Sequence, residues 1–428
     1  MRPFLARSAA GTGTVTPRTD REFPLLASVG MDIPALLAAH PVIDGHNDLL
    51  WEAREQAAYD FARLDVGAGG TATHTDLPRM RAGGMGAQFW SVYVPTRLTG
   101  DDAVSATLEQ VDAARLLTER YADQLAWATT ADEVEEAWAA DRMASLAGAE
   151  GGHSINCSLG TLRQLHALGV RYLTLTHNAN TPWADSATDR PAAGGLTAFG
   201  REVVREMNRV GMMVDLSHVS ADTMRDALTV AEAPVIFSHS SARAVTDSPR
   251  NAPDDVLAAM ARGGGVCMVT FVPKFVNSAC ADAHRELVAA AAQEGIAEAD
   301  GVRFGAFERT WSLDHPQPRA TLGDVVAHCE HVREVAGIDH IGLGGDYDGV
   351  ETLPDGLEDV STYPALLGAL AARGWSADDL ARLTCRNTLR VLRDVEAVAA
   401  DLQSVRGPSL ARIEDLDGVP TVPRPVHP

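Results

Sequence analysis

His46 and Asp48 lie two residues apart where the apolar run Pro41-Val42-Ile43-Asp44-Gly45 ends, so on an extended strand they project the same way. That is the geometry of a metal-ligand pair, although a histidine and an aspartate at a strand end serve equally well in a hydrogen-bonded turn. Partners for them stand after other apolar runs: Glu150-Gly151-Gly152-His153, His177-Asn178, Ser217-His218, His239-Ser240-Ser241 and Asp346-Tyr347-Asp348-Gly349. Imidazoles and carboxylates without thiolates suit Zn²⁺ or a similar borderline divalent ion, and there are more of them than one tetrahedral site with an open position can use. Two metals bridged by a carboxylate are the simplest reading. Glu150 is the natural bridge, because it opens the ligand cluster of its strand and no lysine stands at a suitable strand end to form a carbamate.

These groups can meet only if the runs that carry them are neighbouring strands. Eight runs recur, at 42–45, 87–94, 144–149, 170–176, 212–216, 235–238, 265–272 and 341–345. Most are separated by helical patterns rich in Ala, Leu, Arg and Glu, at 101–121, 131–141, 159–168, 197–209, 221–231, 253–262 and 321–336. Short buried runs alternating with helices predict βαβ units and a parallel sheet. Eight of them predict an α/β fold closed into a (β/α)8 barrel of the TIM type, with an open doubly wound sheet as the alternative. Such a barrel presents its chemistry at the C-terminal ends of its strands, where six of the eight runs deliver polar groups.

Domain boundaries follow. Residues 1–30 are expected as an N-terminal arm, 31–400 as the barrel, and 401–428 as a C-terminal tail that is Pro-rich from Pro420 to Pro428. Asp32 and Pro34 mark a helix start leading into the first strand, and Ser376 caps one or two amphipathic helices at 377–399 that close the fold. Residues 275–319 form a longer connection than a βα loop needs, with a helical piece at 282–293, and read as an insertion over the barrel mouth.

Composition narrows the partners. With 46% hydrophobic and 22% charged residues the 428-residue chain is an ordinary globular one, and 58 acidic against 36 basic side chains give a formal charge of -22 that repels nucleic acid and anionic lipid. Lys274 is the sole lysine, which removes most routes to a lysine Schiff base. Cys157, Cys267, Cys280, Cys329 and Cys385 are odd in number, widely spaced and without a C-x-x-C pair, so neither a disulfide framework nor a zinc knuckle is indicated. Residues 1–30 hold no sustained apolar segment, no run of about 18 apolar residues occurs, and no lipid-anchor signal ends the chain, so a cytoplasmic protein without a membrane anchor is expected.

Beyond these features the chain resembles the membrane (renal) dipeptidases, zinc-dependent relatives of the amidohydrolase barrels. The resemblance is carried by IDGHNDLLW (43–51), EGGHSI (150–155), RYLTLTHNANTPWADS (171–186), VDLSHVS (214–220), APVIFSHSSARAV (233–245), PRNAPDDVL (249–257) and GLGGDYDGV (342–350). It implies two zinc ions per chain, one held by His46 and Asp48, the other by His218 and His239, with Glu150 and a water or hydroxide bridging them. It further implies that His177 contacts the substrate carbonyl or the tetrahedral intermediate, that Arg250 holds the C-terminal carboxylate of a dipeptide, and that Asp346 lies near its free amine. Tolerance of a C-terminal D-residue (L-Xaa-D-Xaa) and a homodimer are implied as well.

The chemistry accords with those roles. A water shared by two Zn²⁺ ions has its pKa lowered from ~15.7 toward ~7 and can attack a peptide carbonyl without a Ser or Cys nucleophile. His177 would stabilise the oxyanion, Asp346 would carry a proton to the leaving amine, and the fork of Arg250 matches a carboxylate. Asp348 alternates with Asp346 on the same segment and can replace it in that role. His153 is expected to support ligands rather than bind metal, and Asp44 and Asp215 either orient ligating histidines or make turn hydrogen bonds. A metallo-amidase acting on N-acyl amino acids or lactams, and a non-catalytic peptide-binding barrel, are the competing readings.

Overall fold

The computed structural model describes residues 30–298 and 301–418. Among them nine parallel strands are found: β1 (Val42–Asn47), β2 (Met85–Tyr93), β3 (Leu125–Trp127), β4 (Met143–Glu150), β5 (Val170–Thr174), β6 (Met213–Asp215), β7 (Ile236–Ser240), β8 (Val266–Val269) and β9 (Ile341–Leu343). Eight close into a ring in the order β1-β2-β4-β5-β6-β7-β8-β9, with Asp44 of β1 in register with Leu343 of β9. The closure excludes the open sheet and makes the fold a (β/α)8 barrel.

The ninth strand, β3, was not predicted. It pairs Leu125 to Trp127 with Met143 to Ser145 at the start of β4, beside the stretch Ala147–Glu150 that β5 takes. Three residues are too few for strand periodicity to register in a sequence.

The barrel is filled from below and left polar above. Ile43, Phe89, Leu146, Tyr172, Met213, Ile236, Val266 and Met268 pack inside it, and Leu389 and Leu392 of the helix Asn387–Val405 join that cluster. Burying β1, β4 and β7 completely is possible because helices cover the outer face, which is why these strands read as continuous apolar runs. One glycine is dictated by this packing. A Cβ at Gly148 would lie 1.9 Å from the ring of Tyr172, so β4 must be bare there for the ring to cross the barrel.

The insertion after β8 consists of the helices Pro273–Val276, Ser278–Gln293 and Gly301–Asp314. Leu287, Ala291 and Phe304 form a small core of their own, with Phe307 and Trp311 against it. The unit lies over the barrel mouth, where Lys274, Phe275, His284 and Glu298 line the same cavity as the polar strand ends.

The expected N-terminal arm falls, apart from Gly30, outside the described residues. At the other end, within the span expected as the C-terminal tail, the last long helix runs on to Val405, and Ile413–Asp417 forms a further turn of helix. Two contacts hold that turn down. Ile413 is fully buried, and the Asp417 carboxylate accepts from the Thr197 hydroxyl (2.6 Å) and the Phe199 amide (3.2 Å) at the start of the helix Ala198–Val210. A carboxylate at a helix N-terminus satisfies amides that would otherwise be orphaned. Among the described residues no helix is long and apolar enough to cross a membrane.

Candidate active site

The strand ends meet at the bottom of an open cavity of about 1260 Å³. Glu150 closes β4 and stands at the centre. Its Oε1 faces Nε2 of His218 (3.1 Å), His177 (3.5 Å) and His239 (3.6 Å), while its Oε2 faces Nε2 of His46 at 3.5 Å. His46 Nε2 is also 3.4 Å from Asp48 Oδ2 and 3.9 Å from Asp346 Oδ1. These seven groups sort into sets whose ligand atoms lie within 4.8 Å of one another: His46, Glu150 and His239; Glu150, His177 and His218; His46, Asp48 and Asp346.

Asp48 tests whether this arrangement suits a cation. It occupies the N-cap position of the helix Leu49–Ala57, where an aspartate ordinarily accepts a backbone amide, yet its side chain makes no capping bond and Oδ1 is buried without a hydrogen-bond partner among the described residues. His46 Nε2 is likewise buried without one. Leaving both unpaired at such buried positions costs about 1–3 kcal/mol each, so the acceptor atoms converging there fit a divalent ion.

The polar groups behind the histidines fix their orientation. Nδ1 of His46 meets the Tyr172 hydroxyl at 2.9 Å, and Nδ1 of His239 meets Ser238 Oγ at 2.8 Å. Ser238 Oγ in turn donates to Asp215 Oδ2 (2.7 Å), whose other oxygen accepts the Ser238 amide (2.8 Å). In both rings Nδ1 is engaged and Nε2 is left to face the cavity floor, the usual division of labour in a metal-binding histidine. Asp44 accepts the His46 amide (2.8 Å), the Gly345 amide (2.9 Å) and the Tyr363 hydroxyl, tying β1 to the segment that carries Asp346. Thus Asp215 orients a ring through Ser238, and Asp44 anchors backbone.

Local strain marks the same rim. His218, Asp346 and Asp348 have φ of 67°, 62° and 66°, a left-handed conformation unfavourable for residues other than glycine. Each is held there by its surroundings at a cost of order 1 kcal/mol. For Asp346 the restraint is visible: Asp346 N donates to His46 O, and Asp48 N donates to Tyr347 O at 2.9 Å.

Burial governs the charge states. Desolvation drives His218 and His239 well below the ordinary histidine range, and Arg250 adds to it, so both rings are neutral and able to ligate. Glu150 stays well below the carboxylate range, because His46 and His177 outweigh its own desolvation. Burial pulls His46 down, but Tyr172, Glu150 and Asp48 overcome it and raise the ring well above its ordinary value, the pull of those groups being one that a divalent ion would meet in place of the proton. Asp346 is pushed up to about 8 by burial, with Asp48 and Glu150 adding to the effect and His46 opposing it. Burial brings His177 down to about 4.

Arg250 is 2% exposed and poorly satisfied. Its terminal nitrogens reach Ser240 Oγ and His239 O only at 3.5 and 3.4 Å, Nε has no partner among the described residues, and the guanidinium lies 5.0 Å from the centroid of the Phe275 ring. Buried arginines with spare donors are built for an anion.

Two residues left open by the sequence now separate. Asp348 accepts the His74 amide at 2.5 Å, and its own amide donates to His74 Nδ1, so its Oδ1 is committed to the mouth loop while Asp346 faces His46. His153 points its Nε2 at Val94 O (2.9 Å) and stands outside all three ligand sets.

Other contributors went unnoticed in the sequence. Ser91 Oγ donates to Glu150 Oε2 (3.0 Å), and Tyr93 lies with its ring 5.0 Å from that of His177. Phe89, Ser91 and Tyr93 alternate along β2, so they share the face that looks into the barrel. That period of two is the signal the sequence carries for them.

The geometry has known counterparts. A model of the membrane dipeptidase family (peptidase family M19) matches residues 31–406. A metallo peptidase from Rhodobacter sphaeroides, solved with a phosphinate mimic of the dipeptide L-Ala-D-Ala, is 27% identical, with 83% of this chain and 99% of that chain covered and a TM-score of 0.69. The dipeptidase AC, a metallopeptidase of family M19, is 28% identical over 83% of this chain and 98% of its own, also at 0.69. The probable dipeptidase PvdM from Pseudomonas aeruginosa superposes with a TM-score of 0.75 over 86% of this chain and 98% of that chain; at 22% identity it speaks for the fold alone. With the family match running from the first described helix to the end of the last long one, over a barrel whose strand ends converge on a candidate metal centre, this chain belongs to the membrane dipeptidase family of metallopeptidases.

Proposed function

We propose that the chain is a binuclear zinc dipeptidase that cleaves the peptide bond of free dipeptides. The observation that carries the reading is the divided attention of Glu150, one oxygen toward His218 and His239 and the other toward His46, as a bridging carboxylate requires. His46 and Asp48 would hold one ion, His218 and His239 the other, and Glu150 both. Zn²⁺ ions held there would supply an activated water and Lewis acidity toward the scissile carbonyl.

The remaining roles fall to the chain's own side chains. Arg250 binds the substrate's C-terminal carboxylate with its unsatisfied donors and so fixes the peptide's far end. Asp346, whose carboxyl is pushed up by burial, would carry a proton to the leaving nitrogen and would lie near the substrate amine. His177 steadies the carbonyl oxygen as charge builds on it. Phe275 and the insertion wall line the cavity beside Arg250.

Dipeptides with a C-terminal D-residue are included, since the Rhodobacter sphaeroides relative was solved with a mimic of L-Ala-D-Ala. A homodimer is proposed on the family resemblance, to be checked by light scattering. The decisive experiment measures metal by elemental analysis and kcat/KM on L,L and L,D dipeptides beside their N-acetylated and tripeptide counterparts. Two zinc ions per chain and activity confined to free dipeptides are expected. Equal rates on blocked and free substrates, or full activity in metal-free protein, would overturn the reading.

A further inference from the structure

We propose that His328 and Asn251 are positioning residues for carboxylate recognition, holding the Arg250–Phe275 pair in place without reaching the substrate. This rests on the reading of Arg250 given above.

Arg250 is not held by its own polar contacts. Its two guanidinium hydrogen bonds are long and Nε has no partner among the described residues, so its position is set by the Phe275 ring beside it and by the backbone that carries it. That backbone is the loop from β7 to the helix Asp254–Arg262, and Phe275 sits on the separate segment that follows β8. The stack survives only if the two segments are joined.

Two buried side chains make the join. Asn251, beside Arg250 in sequence and fully buried, donates its amide hydrogens to Thr246 O (2.9 Å) in its own loop and Phe275 O (2.7 Å) across the gap. His328, from the helix Leu322–Ala336 behind them, is also fully buried. Its Nδ1 accepts the Ala242 amide at 3.1 Å, which fixes the tautomer with hydrogen on Nε2. That hydrogen faces Val276 O (3.2 Å) and Thr246 Oγ1 (3.3 Å). One flat ring therefore accepts from the arginine loop and donates to the phenylalanine segment, fastening both to the outer helix. The loop is closed on itself as well, with Arg243 N on Ala252 O and Ala252 N on Ser241 O.

The requirement is for an acceptor and a donor about a ring's width apart. Glutamine offers both; phenylalanine keeps the volume and offers neither, leaving the Ala242 amide and the Val276 carbonyl unpaired.

The test compares L-Ala-L-Leu with L-Ala-L-Leu amide, whose neutral end gives Arg250 no anion, in the zinc-loaded full chain. The acid-to-amide ratio of kcat/KM is measured in the wild type and in His328→Phe, His328→Gln and Asn251→Ala. A displacement of about 1 Å at a positioned group can cost about 100-fold, and a partial loosening is expected to lower the ratio roughly tenfold in His328→Phe and Asn251→Ala. The fall should appear in KM for the acid more than in kcat, with most of the ratio recovered in His328→Gln. Should His328→Phe fail to fold, Asn251→Ala carries the test. Variants that slow both substrates equally, leaving the ratio at the wild-type value, would show a merely structural role and overturn the proposal. A wild type indifferent to acid and amide would instead remove the reading of Arg250, and the inference with it.

Discussion

The Tyr172 hydroxyl stands 2.9 Å from Nδ1 of His46, bringing β5 to bear on a side chain of β1 from across the barrel. It also lies 3.2 Å from Gly45 O, so the phenol spans the backbone and the ring of the same strand. Tyr172→Phe keeps the packing and deletes only this contact. Loss of an outer hydrogen bond to a ligating histidine typically weakens metal affinity by about 10–100-fold. Competition with a metal-binding dye should show that loss, with the melting temperature of metal-free protein changed little. Undiminished affinity would mean that the hydroxyl only fills space.

The Tyr172 ring reaches His46 across Gly148, where a methyl group would fall 1.9 to 2.3 Å from three ring carbons. No rotamer change of alanine relieves such an overlap, so Gly148→Ala must displace either β4 or the ring. Overpacking of this kind costs about 1–3 kcal/mol. The variant should melt several degrees lower and also lose metal affinity, since the tyrosine moves with the strand. An unchanged melt together with unchanged affinity would show that the barrel interior yields more readily than the distances imply.

Glu150 makes a different prediction, because one side chain serves both halves of the proposed site. Glu150→Gln removes the charge and turns one of its two oxygens into a donor, so both ions should be lost or weakened together, whereas His46→Ala should spare the His218–His239 half. Elemental analysis of dialysed protein distinguishes the two patterns. Chelation should destabilise the wild type by about 2.7 kcal/mol where metal had stood at 100 times its Kd, and Glu150→Gln hardly at all. A Glu150→Gln protein still holding two ions would remove the bridge.

Much of this was legible in the chain because of how a parallel barrel is built. Strands buried on both faces become unbroken apolar runs, and His46, Glu150, His177, His218, His239 and Asp346 all sit at the point where such a run turns polar. What escaped detection depended on contacts between distant residues. Ser91, Tyr93 and Tyr172 lie within strands and look like core; only the pairing of β2 with β4 and of β4 with β5 brings them to the site. The short strand β3 had too few residues to show a period. Asp346 and Asp348 were indistinguishable until the mouth loop claimed one through His74. His328 sits 86 residues from the amide that it accepts, and no local pattern announces that bond.

His328 also yields a prediction about pH. Burial brings it down to about 4, with His331 adding to the effect and the Val276 carbonyl and Asp324 opposing it. Both charged neighbours are on its own helix; Ala242, Thr246 and Val276 face it from the others with neutral groups. In the unfolded chain the ring titrates near ~6.5. The folded value is therefore the lower one, and between the two the unfolded chain binds more protons. Stability is then fully present above ~6.5, falls as the pH drops through this window, and is reduced by at most about 3 kcal/mol once the pH reaches ~4. His166 shifts in the same direction, through burial and Arg171, so the wild-type slope contains more than one histidine. His328→Gln has no proton to take up and keeps the two hydrogen bonds. Urea unfolding of both proteins at several pH values from about 7.5 to about 4.5 should give free energies that diverge as the pH falls, the glutamine variant losing less. Parallel curves would mean that His328 binds its proton equally well folded and unfolded, and that its ring is not the fixed neutral tautomer on which the Arg250 loop is hung.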